Sequence, residues 1–357
     1  MEENTLKVGL LGITHPHTSG RVKALQRRGI EIFGAADHSE LLEPFCNALR
    51  IAPRTKEEIL NNPDIKIVLV HSKSYEMADL TIEALKAGKA VLVEKPAGRG
   101  FEDTERILEA EKKYNGFVQV GYCWRFAPSI EAMQDCLSQE KIGKVVQVRA
   151  HAGCSHNEAD TAHMRQPGDL GGAFFVIGCH LFDRILYHFG MPESVNARIT
   201  KFPNLKGESS REDAAGAILN YKDKIVTVDF MAWDVLPWTE SWDITAYGTE
   251  GIMSARPLPA SYKLYQSGKI EGSMQGWTEW NETFFPEIWA TKKTEYSPEI
   301  AEIGNPIYFD RELDTFLNAY LNNQPSKIPA SQAHNISRIL AALFKSSSLN
   351  GAEVNLK

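Results

Sequence analysis

The sequence predicts an α/β chain: an N-terminal doubly wound parallel sheet, then a C-terminal α+β domain with a large open, mostly antiparallel sheet. Three observations predict it. As far as about residue 125, continuous β-branched runs alternate with helical stretches of about ten residues, the pattern of a parallel sheet covered on both faces. Beyond that point the hydrophobic period falls to two, in short segments joined by turns. The length of 357 residues, at roughly 150 per domain, leaves room for two domains.

The elements follow in order. Residues 6–11 are a short apolar strand, and a glycine-containing turn leads from it into a helix over 21–28. A second strand over 30–36 ends at Asp37, and Ser39 caps a helix running to about Leu49. Residues 65–70 are a third strand and 77–86 a helix stopped by Gly88. A strand over 90–93, a helix over 101–114 and a strand over 117–120 complete the repeated βαβ units. Such units bind ligands beyond the carboxyl ends of their strands.

A helix over 128–139 then leads into an alternating strand over 144–152. One long amphipathic helix carries Phe174, Gly178, Leu181, Ile185 and Phe189 on a single stripe. Alternating segments near 194–200, 216–221, 225–233, 241–248 and 251–255 form the open sheet. Residues 256–307 lack clear periodicity and are rich in aromatics, the composition of a functional or contact-making excursion. Two amphipathic helices close the chain, one carrying Leu313, Phe316, Leu317, Tyr320 and Leu321. The other carries Ile336, Ile339, Leu340, Leu343 and Phe344, with Ser331 as N-cap and Gly351 beyond its end.

Composition bounds the function. Hydrophobic residues make up 43% and charged residues 24%, which excludes a disordered or fibrous chain. A net charge of -7 argues against a nucleic-acid surface, which needs clustered Lys and Arg. No apolar run approaches the roughly 18 residues of a membrane span, and the acidic start Met1-Glu2-Glu3-Asn4 is unlike a signal peptide. Five cysteines, an odd number without a CxxC, point to a reducing cytoplasm.

The first strand-to-helix turn, Gly12-Ile13-Thr14-His15-Pro16-His17, stands where a dinucleotide fold cradles pyrophosphate on backbone N–H groups. Gly12 fits the first glycine of GxGxxG, while Thr14 and His17 hold the other two places. Hydroxyls of Thr14, Thr18 and Ser19 and the imidazoles of His15 and His17 are substitute donors; a tight turn with a polar tip is the alternative. Asp37 lies roughly 20 residues on, where an acid accepts a ribose diol, and no Arg follows it to receive a 2′-phosphate. NAD is thus expected over NADP. An acid that merely opens a helix would look the same.

Val91-Leu92-Val93-Glu94-Lys95-Pro96 is the sharpest local signature. With residues 83–89, Gly121-Tyr122-Cys123-Trp124-Arg125-Phe126-Ala127-Pro128, residues 171–180 and Gly248-Thr249-Glu250-Gly251, it resembles the glucose–fructose oxidoreductase / inositol dehydrogenase (Gfo/Idh/MocA) family over nearly the whole chain. The resemblance implies an NAD-binding Rossmann domain over 1–125 and a substrate-binding and oligomerising domain over 126–357, whose last helices pack back on the first. It implies an NAD-dependent oxidoreductase moving a hydride between nicotinamide and a secondary alcohol carbon of a sugar, polyol or glycoside.

The residues agree with it at Lys95. A lysine at a strand's carboxyl end, before a proline, can donate to both substrate hydroxyl and cofactor. In the family a helix carries Asp-x-x-x-His, the histidine taking the hydroxyl proton. Here the histidine is His180 and the acid's place is held by Val176, leaving Asp183, Glu158, Asp160 and Asp169 as substitutes or His180 as a core histidine. The expected cofactor set is Gly12, Thr14, His15, His17, Asp37, Ser72, Lys73, Glu94, Lys95 and Arg125. The expected substrate set is Lys95, Trp124, His156, His163 and His180. Ser72-Lys73-Ser74 replaces the family's Thr-Pro-Asn, and Cys123 a frequent Asn.

His151, Cys154, His156 and His163 lie close in sequence, but their irregular spacing favours cleft histidines over a metal site, and no metal is expected. The tryptophans Trp233, Trp238, Trp242, Trp277, Trp280 and Trp289 suit stacking on sugar rings or a homo-oligomer interface on the open sheet, and most are assigned to the interface. Two other functions fit the same residues: a catalytically silent cofactor and sugar sensor, favoured by Val176, and a sugar-modifying enzyme that oxidises transiently with tightly bound NAD.

Overall fold

A computed structural model describes residues 6–154, 170, 172–202, 212–234, 242–282, 291–293, 301–303 and 306–356. The chain divides into two compact units, one of residues 1–123, 166–169 and 285–334, the other of residues 124–165, 170–284 and 335–357.

The first unit is built on β1 (Lys7–Leu11), α1 (Thr18–Arg27), β2 (Glu31–Ala36), α2 (Leu42–Leu49), α3 (Lys56–Asn61), β3 (Ile65–Val70), α4 (Ser74–Lys86), β4 (Ala90–Val93), α5 (Phe101–Lys113) and β5 (Val118–Val120). Its five strands are parallel in the order β2-β1-β3-β4-β5. An isolated parallel bridge, Ala35 to Pro53, adds the trace of a further strand outside β2. Val8, Leu10, Ile67, Leu69, Val91 and Val93 are fully buried, which is why these strands read as continuous apolar runs. The strand order reverses between β1 and β3, so the crevice beyond their carboxyl ends is the ligand position of this architecture.

Two expectations for this unit need correction. Ser39 does not cap a helix: its hydroxyl accepts the Leu41 N–H within a turn, and α2 starts at Leu42 without a side-chain cap. The helix α3 was not expected from periodicity, although Thr55 and Glu58 form a complete capping box at its start.

The second unit begins with a short 3-10 turn (Cys123–Phe126) leading into α6 (Pro128–Ser138). Then come β6 (Val145–Gly153), α7 (Ala173–Val176), α8 (Cys179–Phe189), β7 (Ser194–Thr200), β8 (Ala214–Asn220), β9 (Ile225–Met231), β10 (Asp243–Gly248), β11 (Gly251–Pro257), β12 (Ala260–Gln266) and β13 (Gly276–Asn281). Residues expected as one long helix are thus two, interrupted at Ile177 and Gly178. The stretch expected to be irregular contains β12 and β13, the outer strands on one side of the sheet. Their cross-strand pairs Tyr262–Trp280 and Tyr265–Trp277 hold them in register.

The remaining elements are the hairpin β14 (Thr291–Lys293) and β15 (Ala301–Ile303), α9 (Pro306–Leu321), α10 (Ala330–Ser348) and β16 (Val354–Asn355). Ser331 therefore lies inside the first turn of α10, not at its cap. Within the first unit α9 packs on α1, where Gly20 lets the Phe309 ring approach: a Cβ there would stand 2.8 Å from it. Arg28 pairs with Asp310 and Asp314 along the same contact.

The nine-stranded sheet runs β13-β12-β11-β10-β6-β9-β8-β7-β16. It is antiparallel except for the parallel pair β6–β9. One face buries Val148, Ala150, Val226, Val228, Phe230, Ile244 and Ala246, with α6 and α8 packed over it. The register puts Trp277, Tyr265, Ile252, Tyr247, Gln147 and Ile225 in one row across the other face. Among the described residues, no helix is long and apolar enough to cross a membrane.

Candidate functional site

In the first unit the turn after β1 is tied down from several sides. The Gly12 N–H donates to Ala36 O at 2.8 Å, and the Ile13 N–H to Asp37 Oδ2 at 2.9 Å. Gly12 has φ +85°, and a Cβ on it would lie 2.5 Å from that of Ser72, so only glycine fits where the turn crosses β3. The His15 N–H donates to His71 O, and His15 Nδ1 accepts the His17 N–H at 3.2 Å. His17 is the N-cap residue of α1, whose first turn holds no acid. The Thr14 and Ser19 hydroxyls are buried there without a hydrogen-bond partner. A ten-residue helix, a glycine crossing and two orphaned hydroxyls fit the pyrophosphate of a dinucleotide.

Asp37 opens onto a cleft of about 700 Å³ lined also by Gly12, Ser72, Tyr75, Glu76 and Asp79. Its second oxygen accepts the Ser39 N–H at 2.6 Å, which fixes the carboxylate at the end of β2. Two cations line the same cleft and each has an acid partner: Arg54 with Glu58, and Lys56 with Glu83. Ser72 bonds Glu76, and Lys73 extends over the Tyr75 ring at 5.9 Å.

Behind the turn lies a buried ionic cluster. Glu94, at the end of β4, accepts from Arg21 Nε and Nη2 on one oxygen, at 3.2 and 2.9 Å. Its other oxygen lies 3.1 Å from His17 Nδ1 and accepts the Lys95 N–H at 3.0 Å. Arg21 also pairs with Glu312 of α9. Burial opposes ionisation of Glu94, but Arg21, His17 and His15 together hold its carboxyl well below the usual range. Burial keeps His17 below its ordinary value despite Glu94, and pushes His71 down to about 3, with Arg21 adding to the effect. His15, His17 and Glu94 are close enough to hold a metal ion, but Arg21 already places a cation on that carboxylate. Glu94 is therefore a brace between Lys95 and the turn. Lys95 itself is buried, 5% exposed, at the strand's carboxyl end. Burial raises the nearby Cys123 thiol to about 12, so it stays protonated and inert.

In the second unit His180 lies in the first turn of α8 and is 3% exposed. The buried Glu212 carboxylate accepts the N–H groups of Gly172 and Phe174, anchoring the start of α7 just before it. The Trp124 ring stacks on His180, with centroids 4.6 Å apart and planes 20° apart, and Trp242 stands perpendicular to Trp124. Trp242 is fully buried and donates to Gly153 O at 2.7 Å, so it belongs to this cluster rather than to the open sheet face. Asp183 accepts from Nε and Nη2 along one edge of the Arg125 guanidinium, and Arg125 also lies over Tyr187. Val176 is buried one turn before His180.

His180 and Trp124, both expected at the substrate, are neighbours, while Arg125, expected at the cofactor, pairs with Asp183. Expected residues His156 and His163, and the substitute acids Glu158, Asp160 and Asp169, lie outside the described residues, as do Trp238 and Trp289. His151 is paired with Asp229 on the open face of the sheet. Three residues were not anticipated, Arg21, His71 and Arg184, while Trp242 was singled out with the other tryptophans but not placed beside His180. Arg21 and Arg184 stand four residues after His17 and His180, a spacing that places them on the same helix faces.

Family profiles match the chain in two parts. Residues 6–122 match the profile of an oxidoreductase family's NAD-binding Rossmann fold, and residues 134–356 that of its C-terminal alpha/beta domain. Trans-1,2-dihydrobenzene-1,2-diol dehydrogenase of Xenopus laevis is 31% identical over 170 residues, 47% of this chain and 49% of that one. The NADP(+)-linked scyllo-inositol 2-dehydrogenase of Bacillus subtilis is 25% identical over 143 residues, 40% of each. The match to the first of these thus spans about half its length. A solved levoglucosan dehydrogenase, in complex with NADH and levoglucosan, shares the fold with a TM-score of 0.82 at 18% identity, over 99% of both chains.

Proposed function

The chain belongs to the Gfo/Idh/MocA oxidoreductase family, and from that premise we propose that it is an NAD-dependent dehydrogenase of a sugar, polyol or glycoside. The observation that carries the reading is Lys95, buried at a strand's carboxyl end and fixed through Glu94 to the turn that fits a pyrophosphate. Bound NAD supplies the hydride acceptor at the alcohol carbon. Lys95 donates to the substrate oxygen and favours its deprotonation. His180 accepts the hydroxyl proton, its ring held against Trp124.

Gly12, Thr14, Ser19 and the start of α1 hold the pyrophosphate in this reading, and Asp37 the ribose diol. Asp37, Glu76 and Asp79 face the same cleft, while its Arg54 and Lys56 are already paired, which disfavours a 2′-phosphate and supports NAD over NADP. Five free, buried cysteines support a reducing, cytoplasmic setting. Exposed Ile218, Ile225, Met231 and Trp277 on one face of the sheet support docking of a second copy there.

The test is NADH formation across a panel of neutral and acidic polyols, with cofactor binding followed by fluorescence. Turnover of at least one member that is lost in His180→Ala and Lys95→Met supports the reading. Absence of both binding and turnover sinks it. Tight NAD binding with no turnover of any member supports the second reading, a silent sensor, which Val176 favours because Asp183 is committed to Arg125.

A further inference from the structure

One buried charge in the second unit is left over. Arg184 lies one turn beyond His180 on α8 and is 0% exposed. Its Nε–H donates to His180 O at 3.2 Å, and its guanidinium carbon sits 5.1 Å from the centre of the Trp242 ring. The Nη1 and Nη2 atoms are buried with no hydrogen-bond partner. Of the two nearby acids that act on it electrostatically, Asp183 is consumed by Arg125, and Asp243 sits in the sheet register on the opposite face, opposite His151. Among the described residues, Arg125 and Asp183 pair with one another and Arg184 has no salt-bridge partner. Burial lowers it only to about 10, so the guanidinium remains charged near neutrality.

A desolvated guanidinium with two idle donor groups costs free energy unless an anion meets it, and a planar fork matches a carboxylate edge. The indole of Trp242 reaches from Arg184 to His180, with ring centroids 6.5 Å apart at His180. We infer that Arg184 and Trp242 form a carboxylate subsite beside His180, so that the substrate is a sugar acid carrying one carboxylate rather than a neutral polyol. One unpaired cation answers one negative charge. A phosphate dianion would need a second cation, and Arg125 is already taken. The inference rests on the dehydrogenase reading and narrows its substrate class.

The test is calorimetric titration of the full chain, with NAD saturating, by hexonates and hexuronates (D-gluconate, D-galactonate, D-glucuronate, D-galacturonate) and by their neutral alcohols and sugars. At least one acid is expected to bind roughly 10- to 100-fold more tightly than its neutral counterpart. Arg184→Met should erase that preference, and Arg184→Lys, which keeps the charge without the fork, should retain part of it. Equal binding of acid and neutral partners by the wild type overturns the inference, as does a preference for glucose 6-phosphate or for no compound at all. A preference that survives in Arg184→Met overturns it too, making Arg184 a strut for Trp242. NADH binding and NADH formation are read separately by fluorescence, so failure of the dehydrogenase reading shows as absent turnover, whatever the ranking of the acids.

Discussion

Each unit buries a cluster of charged groups beside its best functional candidate, and the two clusters are wired differently. Behind Lys95, Arg21 is shared by Glu94 and Glu312, and Glu94 by Arg21, His17 and a backbone N–H. Beside His180, Arg125 and Asp183 close on one another and Arg184 is left with idle donors. In the first arrangement each charged group has an ionic partner within the protein, although Glu312 Oε1 and both His71 ring nitrogens have no hydrogen-bond partner among the described residues, and the cluster acts as a brace, fixing strand end to phosphate turn. The second is complete only with an anion. Burial by itself therefore says little about function; what separates a structural charge from a recognition charge is whether the protein has supplied its partner.

The comparison can be broken at several points. The largest effect is expected at the reacting groups. Lys95→Met and His180→Ala should each lower turnover about 10²- to 10⁴-fold while the melting temperature changes little. Full activity in either would detach that unit's cluster from the chemistry. Next is the acid limb of stability. The folded-state pKa of Glu94 lies below its ordinary 4.5, so its contribution is complete above about pH 4.5 and is lost as pH falls further. Glu94→Gln should flatten that loss between pH 5 and 3 in urea titrations. His71, held near 3 in the folded state, adds a loss that begins as pH falls below about 6.5, and His71→Leu should remove it. A wild type whose stability is level from pH 7 to 3 would contradict both.

Smaller effects sharpen the picture outside the clusters. Asp37→Asn removes charge from the cleft and should raise the NADP to NAD affinity ratio about tenfold, near 1.4 kcal/mol, in fluorescence titrations. An unchanged ratio would mean that Asp37 serves only Ile13 and Ser39. Thr55→Ala should cost about 1 kcal/mol through the α3 cap with turnover untouched.

The same contrast governs what the sequence made legible. Strands buried on both faces, such as residues 65–70 and 90–93, announce themselves through composition alone, and Lys95 follows from its place at a strand end. β12 and β13 escaped because their period-two pattern is carried by Tyr262, Tyr265, Trp277 and Trp280, aromatics equally suited to a binding excursion. The six residues of α3 are too few for periodicity, though Thr55-x-x-Glu58 was there to be read. Who pairs with whom was beyond reach. Asp183 stood among four candidates to assist His180, and its pairing with Arg125, 58 residues earlier, could not be read from the sequence. Arg184 looked like any helix arginine until its partners could be counted.

The most direct measurement of the contrast is equilibrium urea unfolding of the ligand-free Glu94→Gln and Arg184→Met proteins at pH 7. Glu94→Gln breaks a buried ion pair and leaves Arg21 with Glu312 alone, and it should cost about 3–5 kcal/mol. Arg184→Met removes a buried charge that, among the described residues, has no ion pair and two donor groups without partners, keeping only its bond to His180 O and its place over Trp242, so stability should be unchanged or higher. A loss in Arg184→Met as large as that in Glu94→Gln would contradict the account, because it would show that Arg184 is already satisfied.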